Sequence, residues 1–228
     1  FSFDAAMKRK GPKPVKWDAR LKKADKNDLA QAVIVDLRDG QRYAAGHLPG
    51  AINIGLEGRF ENWVGITVAP EEKLVLAADT GDELAEGVRR LHRIGYRAHT
   101  ILCGKAAKAK IKLKKSGLLE PAELARAMAS PDCPVIVDVR NPAEFAAERI
   151  GTVVNLPLTT LAADAAKLNP AEPVVTICHS AYRSSLAVGI LERAGFKKVA
   201  TLAGGLEAWL EAKLPVFGGA GPGSCKLK

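Results

Sequence analysis

The segment Val33-Ile34-Val35-Asp36-Leu37-Arg38 occurs a second time, 102 residues later, as Val135-Ile136-Val137-Asp138-Val139-Arg140. At the same distance, Ile52-Asn53-Ile54 returns as Val154-Asn155-Leu156. Self-similarity at one fixed distance indicates that the chain is a duplication. We refer to the two halves as the first copy and the second copy.

Each copy alternates short apolar, β-branched runs with a helical pattern. The strands expected in the first copy are Ala32 to Leu37, Ile52 to Ile54, Leu74 to Ala77 and Ala98 to Leu102. Between the last two, residues 83–93 place Leu84, Val88 and Leu91 on one helix face, with Gly95 as the stop. The second copy repeats this helix pattern and ends it at Gly195. Strands separated by helices predict an α/β fold with two domains, each a mainly parallel sheet flanked by helices.

One cysteine lies at a strand-to-helix junction in the second copy. Cys178 follows the apolar run Val174 to Ile177 and precedes His179-Ser180-Ala181-Tyr182-Arg183, after which a helix-like segment begins. A loop of this length aims backbone N–H groups and a helix N-terminus at the sulfur, which favours the thiolate, the nucleophilic form. We therefore interpret Cys178 as the reacting atom. The alternative is a small apolar residue that closes a buried strand.

The first copy lacks this arrangement. Leu91 to Tyr96 returns as Leu191 to Phe196 at a distance of 100, which aligns Cys178 with Ala78 and Arg183 with Glu83. Without a thiol, and with an acidic residue in place of the cation, the first copy is expected to be catalytically silent.

Together these residues resemble the rhodanese (sulfurtransferase) family. The matching elements are Asp36-Leu37-Arg38 with Gly46 to Ile54 in the first copy, and Asp138-Val139-Arg140, the Cys178 to Arg183 loop and Leu202 to Trp209 in the second. The second copy departs from the family where Arg149-Ile150-Gly151-Thr152 replaces His-Ile-Pro-Gly and where Ala181 takes the common Gly position.

The resemblance implies a fold of tandem rhodanese-like domains and a sulfurtransferase activity. Sulfane sulfur would pass from thiosulfate or a low-molecular-weight persulfide to a thiol or cyanide through a persulfide on Cys178, without a cofactor. The residues expected to bind substrate are His179, Ser180, Ala181, Tyr182, Arg183 and Ser184. Two other classes stay open. Phosphatases and arsenate reductases also use a Cys-to-Arg loop, typically one residue longer, and a non-catalytic interaction module is the third class.

Several side chains have two interpretations each. Arg183 either faces an anionic donor or braces the loop by pairing with Asp138, and we expect the pair with Asp138. His179 and Tyr182 would serve substrate contact or proton handling. Each Asp-x-Arg is assigned to structure, since an Asp at a strand end usually caps the next turn and pairs locally.

Four further side chains are assigned to structure. His47, beside Pro49 and Gly50, is interpreted as a hydrogen-bonded loop histidine. Trp63, Trp209 and Cys103 are expected to pack in the interior.

A further resemblance concerns a longer protein. Phe1 to Gly11 and Gly55 to Trp63 look like segments found where a rhodanese pair follows a metallo-β-lactamase-type persulfide dioxygenase domain. This implies that the chain is a fragment of a larger sulfide- or persulfide-metabolising protein, with that domain upstream as a partner. The four histidines are scattered, without Cys-x-x-Cys or His-x-His spacing, so no metal is expected here.

Composition and charge set the remaining expectations. The chain has 228 residues, 47% of them hydrophobic, enough for two cores. We expect a connector over 1–16, an inactive domain over 17–104, a basic linker over 105–117, a catalytic domain over 118–217 and a tail over 218–228.

The net charge of +9 is concentrated in two places. Residues 1–30 carry nine Lys or Arg against four Asp, and residues 105–115 carry six Lys without an acid. Without interleaved aromatic residues these runs indicate solvated connectors rather than a nucleic-acid site. The sequence has neither a long apolar run nor a leader, and its four cysteines lack framework spacing. These features predict a cytoplasmic protein that does not contact a membrane.

Overall fold

The computed structural model describes residues 21–106 and 111–218. The predicted connector over 1–16, residues 219–228 of the tail and residues 107–110 of the linker lie outside these ranges. So do Phe1 to Gly11, on which part of the resemblance to a longer protein depends.

The first copy is a four-stranded parallel sheet with helices on its faces. Its elements are α1 (Lys26–Gln31), β1 (Val33–Asp36), α2 (Gly40–Ala45), β2 (Ala51–Asn53), α3 (Phe60–Thr67), β3 (Leu74–Ala78), α4 (Gly81–Arg93), β4 (Ala98–Leu102) and α5 (Cys103–Ala106). The strand order is β2-β1-β3-β4, and all pairs are parallel. Every residue of β1, β2 and β3 is buried, as expected for strands covered by helices.

The second copy repeats this sheet and adds one strand. Its elements are β5 (Gly117–Leu119), α6 (Pro121–Met128), β6 (Val135–Asp138), α7 (Pro142–Ala147), β7 (Val154–Asn155), α8 (Leu161–Asp164), a 3-10 turn (Ala165–Lys167), β8 (Val174–Ile177), α9 (Tyr182–Arg193), β9 (Val199–Leu202) and α10 (Gly205–Glu211). The order is β5-β9-β8-β6-β7, again parallel. The expected α/β fold with two parallel sheets is confirmed.

The predicted elements of the first copy are found within one or two residues of their expected ends. The helix predicted over 83–93 begins two residues earlier because Thr80 and Glu83 form a capping box at its start. Gly95 and Gly195, predicted as stops, have φ of +86° and +98°. These left-handed conformations favour glycine after a helix.

Each copy contains the same buried unit around its Asp-x-Arg. Arg38 and Arg140 donate to the carboxylates of Asp36 and Asp138 and reach a backbone carbonyl eight residues further on. An asparagine at the end of the next strand, Asn53 or Asn155, donates to the two carbonyls that flank this turn. The expected local pairing within both Asp-x-Arg segments is confirmed.

One hydrophobic cluster spans the two copies. Helix α9 packs on its own sheet and also against β2 of the first copy. Gly189 makes this approach possible, because a Cβ there would lie 2.7 Å from the carbonyl oxygen of Ala51 and 2.8 Å from the Cα of Ile52. Buried side chains of both copies therefore belong to this cluster, and a second cluster lies within the second copy.

Residues 111–116 of the predicted solvated linker pack on the first copy. Lys114 forms a two-bond backbone bridge with His47, and Leu113 packs against the core. His47 is fully buried and hydrogen-bonded, which confirms its structural interpretation. Cys103 and Trp209 are buried, as predicted, and Trp63 packs against the core from a half-buried position.

Candidate active site

Cys178 directly follows β8 at the carboxyl end of the second sheet. Strand β8 is flanked on both sides by β6 and β9. Open parallel sheets bind ligands beyond the carboxyl ends of such strands. The residue is 1% exposed. Its thiol lies 3.5 Å from the hydroxyl of Ser184 and donates to it.

The chain turns sharply between Cys178 and α9. Ala181 has φ of +69°, a left-handed conformation that costs a non-glycine residue about 1 kcal/mol or more. The start of α10 is hydrogen-bonded to this turn. The N–H groups of Leu206 and Glu207 donate to the carbonyls of Cys178 and His179. Two carbonyls of the loop are therefore occupied by α10, and the loop N–H groups are not needed to bind them.

The first turn of α9 has no side-chain cap. The first N–H groups of a helix have no partner within the helix, and they carry its positive dipole end. Neither the N–H of His179 nor that of Ser180 has an acceptor among the described residues. The loop around Cys178 is thus a set of free donors suited to an anion.

In the corresponding loop of the first copy, a carboxylate of the same copy binds the backbone N–H groups. Ala78 takes the place of Cys178, and the Glu83 carboxylate accepts from the N–H groups of Asp79 and Thr80 at 3.1 and 3.0 Å. Thr80 completes the capping box of α4. An internal carboxylate therefore occupies the donors that are left free in the second copy.

Four consecutive residues at the start of α9 are each held by a different contact. The Tyr182 hydroxyl donates to the Gly55 carbonyl at 2.9 Å, and Arg183 pairs with Glu144. The Ser184 hydroxyl accepts from Thr201 at 2.7 Å, and Ser185 donates to the Asn53 side chain at 2.5 Å. Tyr182 and Ser185 thus bind the first copy, whereas Arg183 and Ser184 bind the second.

The expected pair between Arg183 and Asp138 is wrong. Both guanidinium NH groups of Arg183 donate to Glu144, at 2.8 and 2.7 Å, and Asp138 is occupied by Arg140. Glu144 is the third residue of α7, where the helix N-terminus also favours a carboxylate. The Arg183 hydrogen bonds hold the pKa of Glu144 at about 2.

The other predicted site residues face in different directions. The exposed His179 imidazole lies 3.0 Å from Glu207, and Ser180 is exposed beside it. Tyr182 is half-buried, and burial raises the pKa of its phenol above the ordinary value, so the hydroxyl stays protonated. Cys103 has no comparable loop, and burial raises the pKa of its thiol to about 12.

A cleft of about 560 Å³ separates the two copies beside this loop. Ser180, Ala181 and Tyr182 line one wall, and the first copy supplies charged side chains, including Arg42 and Glu57, on the other. The cleft is far larger than a small sulfur anion, and its walls carry charges of both signs.

The sequence interpretation missed the partners of the loop. Asn141, followed three residues later by Glu144, is a capping-box pattern and predicts a helix start. That pattern does not indicate that Glu144 pairs with Arg183. Gly55 and Asn53 contact the loop from more than 120 residues away. No local pattern indicates such contacts.

Within residues 21–106 and 111–218, no group of three or more His, Cys, Asp or Glu side chains could hold a metal ion. No helix in the same ranges is long and apolar enough to span a membrane.

The model of the rhodanese-like domain family matches residues 18–105 and again residues 120–212. An uncharacterised protein of Synechocystis is 41% identical over 86 residues, which are 37% of this chain and 47% of that protein. A sulfurtransferase of Allochromatium vinosum is 30% identical over 98 residues, covering 43% of this chain and 92% of that protein.

Among solved structures, a thiosulfate sulfurtransferase of Pseudomonas aeruginosa has 22% identity and a TM-score of 0.40, covering 84% of this chain and 42% of that one. The chain spans less than half the length of the Synechocystis relative.

Proposed function

The chain belongs to the rhodanese-like domain family, and from this we propose that it is a sulfurtransferase whose second copy carries sulfane sulfur on Cys178. The observation that supports this most is the uncapped start of α9 directly behind the thiol. The same position in the first copy is capped by Glu83. Free amide donors stabilise an anion at Cys178, whether thiolate or persulfide.

The reaction follows as a double displacement. The Cys178 thiolate attacks the outer sulfur of thiosulfate, the sulfur–sulfur bond of the donor breaks, and sulfite leaves with the electron pair. With an organic persulfide as donor, a thiolate leaves instead. The enzyme then holds Cys178-S-S⁻, and a thiolate or cyanide attacks the outer sulfur and regenerates the Cys178 thiolate.

The burial of Cys178 favours sulfur over phosphate chemistry. The thiol lies at the base of the loop and is 1% exposed. A terminal sulfur atom on a donor can reach such a position, whereas a tetrahedral phosphoryl group needs a wider ring of donors around it. The Ser184 hydroxyl, which now accepts from the thiol, can turn to donate to the thiolate after ionisation.

We propose further that the first copy is catalytically silent and that the chain works as part of a larger persulfide-metabolising protein. Ala78 provides no nucleophile, and the Glu83 carboxylate blocks the amide donors of that loop. Small sulfur donors and thiol acceptors are the partners this function requires, and the cytoplasm is the compartment that keeps the thiols reduced.

The test is intact-mass spectrometry of the full chain after incubation with thiosulfate or with a low-molecular-weight persulfide. We expect a gain of one sulfur atom on Cys178, its loss on addition of cyanide, and formation of thiocyanate. Cys178→Ser should abolish the gain, whereas the exposed Cys133→Ser should keep it. Hydrolysis of a phosphate ester without any sulfur uptake would reverse the assignment.

A further inference from the structure

The first copy contacts the catalytic loop through Tyr182. The loop that follows β2 presents the Gly55 carbonyl to the Tyr182 hydroxyl at 2.9 Å. Gly58, in the same loop, lies against the Tyr182 ring so closely that a Cβ there would overlap Cε2 and Cζ. The phenol is therefore held at its hydroxyl and along its ring by residues more than 120 positions away.

This loop of the first copy is itself held in place. Arg90, on α4, donates to the Leu56 carbonyl at 2.5 Å and pairs with Glu61 on α3. The same guanidinium lies over the Phe60 ring, 5.2 Å from its centroid. The wall that Tyr182 contacts is thus fixed to two helices of the first copy.

The contact lies next to the strained point of the catalytic loop. Ala181, with φ of +69°, immediately precedes Tyr182. A residue held in this conformation needs surroundings that over-determine it, because relaxation to an ordinary φ releases energy. Relaxation of Ala181 would change the path of the loop that joins Cys178 to α9.

Resting on the proposed function, we propose that the first copy keeps the catalytic loop in its anion-binding conformation, with Tyr182 as the positioning residue seated on Gly55 and Gly58. Tyr182 does not transfer protons to or from substrate, because its hydroxyl donates to the Gly55 carbonyl and the pKa of its phenol lies above the ordinary value. The copy that lacks a nucleophile thereby contributes to the rate of sulfur transfer.

The test uses Gly58→Ala in the full chain, a change of one methyl group in the first copy. The added Cβ displaces the Tyr182 ring. The matched control is Gly65→Ala, since Gly65 is also in the first copy and a Cβ there meets nothing within 4 Å. A second variant, Tyr182→Phe, removes the hydroxyl bond but keeps the ring.

We expect Gly58→Ala to lower kcat for thiosulfate about tenfold, because small misplacements of catalytic groups cost large factors in rate. KM should stay near that of wild type in both glycine variants. Gly65→Ala should keep the wild-type kcat, and its melting temperature should rise, because alanine replaces glycine inside α3. Tyr182→Phe should lower kcat less, and the double variant should be no slower than Gly58→Ala alone, since both act through one contact.

Hydrogen–deuterium exchange provides a readout independent of activity. Amides of residues 179–185 should exchange faster in Gly58→Ala than in Gly65→Ala, because the loop opens locally more often. Unchanged exchange in that segment, or equal loss of kcat in both glycine variants, would overturn the proposal. If wild type takes up no sulfur, the sulfurtransferase assignment fails, while the exchange data still decide whether the first copy holds the loop.

Discussion

His47 in the first copy and Glu192 on α9 form a buried hydrogen bond of 3.0 Å between Nε2 and Oε2. The other oxygen of Glu192 lies 3.0 Å from Lys114 Nζ, and its side chain is 3% exposed. The imidazole also stacks on Tyr43 with 3.9 Å between ring centroids. A carboxylate of α9 is thus paired with groups that belong to, or pack on, the first copy.

Glu192→Ala should destabilise the chain by about 3 kcal/mol, because it leaves buried polar groups without their partner. Urea unfolding followed by circular dichroism measures the loss. The control is the exposed Glu211→Ala, which should change the free energy of unfolding by less than about 0.5 kcal/mol. Equal stability of the two variants would show that the Glu192 contacts are not maintained in solution.

Gly189→Ala should weaken the packing between the copies. The new methyl group would lie 2.7 Å from the carbonyl oxygen of Ala51, which is backbone and cannot move aside cheaply. Overpacking of this kind costs about 1–3 kcal/mol. Differential scanning calorimetry should show a lower melting temperature than for Gly65→Ala, whose Cβ meets open space. An unchanged melting temperature would contradict the direct approach of α9 to β2.

Glu144→Gln should remove a stabilising ion pair with Arg183. The folded-state pKa of Glu144 is lowered from 4.5 to about 2, so its contribution is fully present above 4.5 and disappears as the pH falls through about 2. We expect the free energy of unfolding to fall by about 1 kcal/mol at neutral pH, and this difference to shrink as the pH falls from 4.5 to about 2. Urea titrations at several pH values measure it.

The control for this prediction is Glu123→Gln. Glu123 occupies the same capping-box position in α6 as Glu144 does in α7, and no ion pair is recorded for it in the described part of the chain. Both glutamates accept from the backbone N–H of their N-cap residue, and a glutamine can accept in the same place. Asn141 also donates its side-chain amide to Glu144, so the pH-dependent part of the difference between the variants isolates Arg183. A pH-independent difference would argue against an ionised Glu144 as the Arg183 partner.

Ala181→Gly should stabilise the chain by up to about 1 kcal/mol, because glycine adopts φ of +69° without the Cβ penalty. The matched change is Ala85→Gly at an exposed position inside α4, where glycine costs about 1 kcal/mol. Thermal unfolding should therefore move in opposite directions for the two variants. A lower melting temperature for both variants would mean that Ala181 is not strained.

The repeat and the strand-to-helix junction at Cys178 were readable in the sequence because they depend on local periodicity. Apolar β-branched runs predicted the strands, and Gly95 and Gly195 marked the helix ends. The same local logic predicted the Asp36–Arg38 and Asp138–Arg140 pairs, whose partners are two residues apart.

The Arg183 partner was predicted wrongly for a physical reason. Asp138 was chosen as the nearby carboxylate, but it is already saturated by Arg140, which also reaches the Glu148 carbonyl. Glu144 is free to accept because α7 directs its first turn toward the loop. Which carboxylate pairs with which arginine depends on distances in the folded structure. The spacing of these residues along the chain does not give those distances.

By itself, the sequence determined the duplication, the parallel sheets and the position of Cys178 at a strand end, since each follows from residue types at short, regular spacing. Tertiary structure alone decided that α9 packs on β2 of the other copy and that Tyr182 rests on Gly55. These contacts arise from the fit of two folded surfaces, and that fit exists only after both sheets have formed.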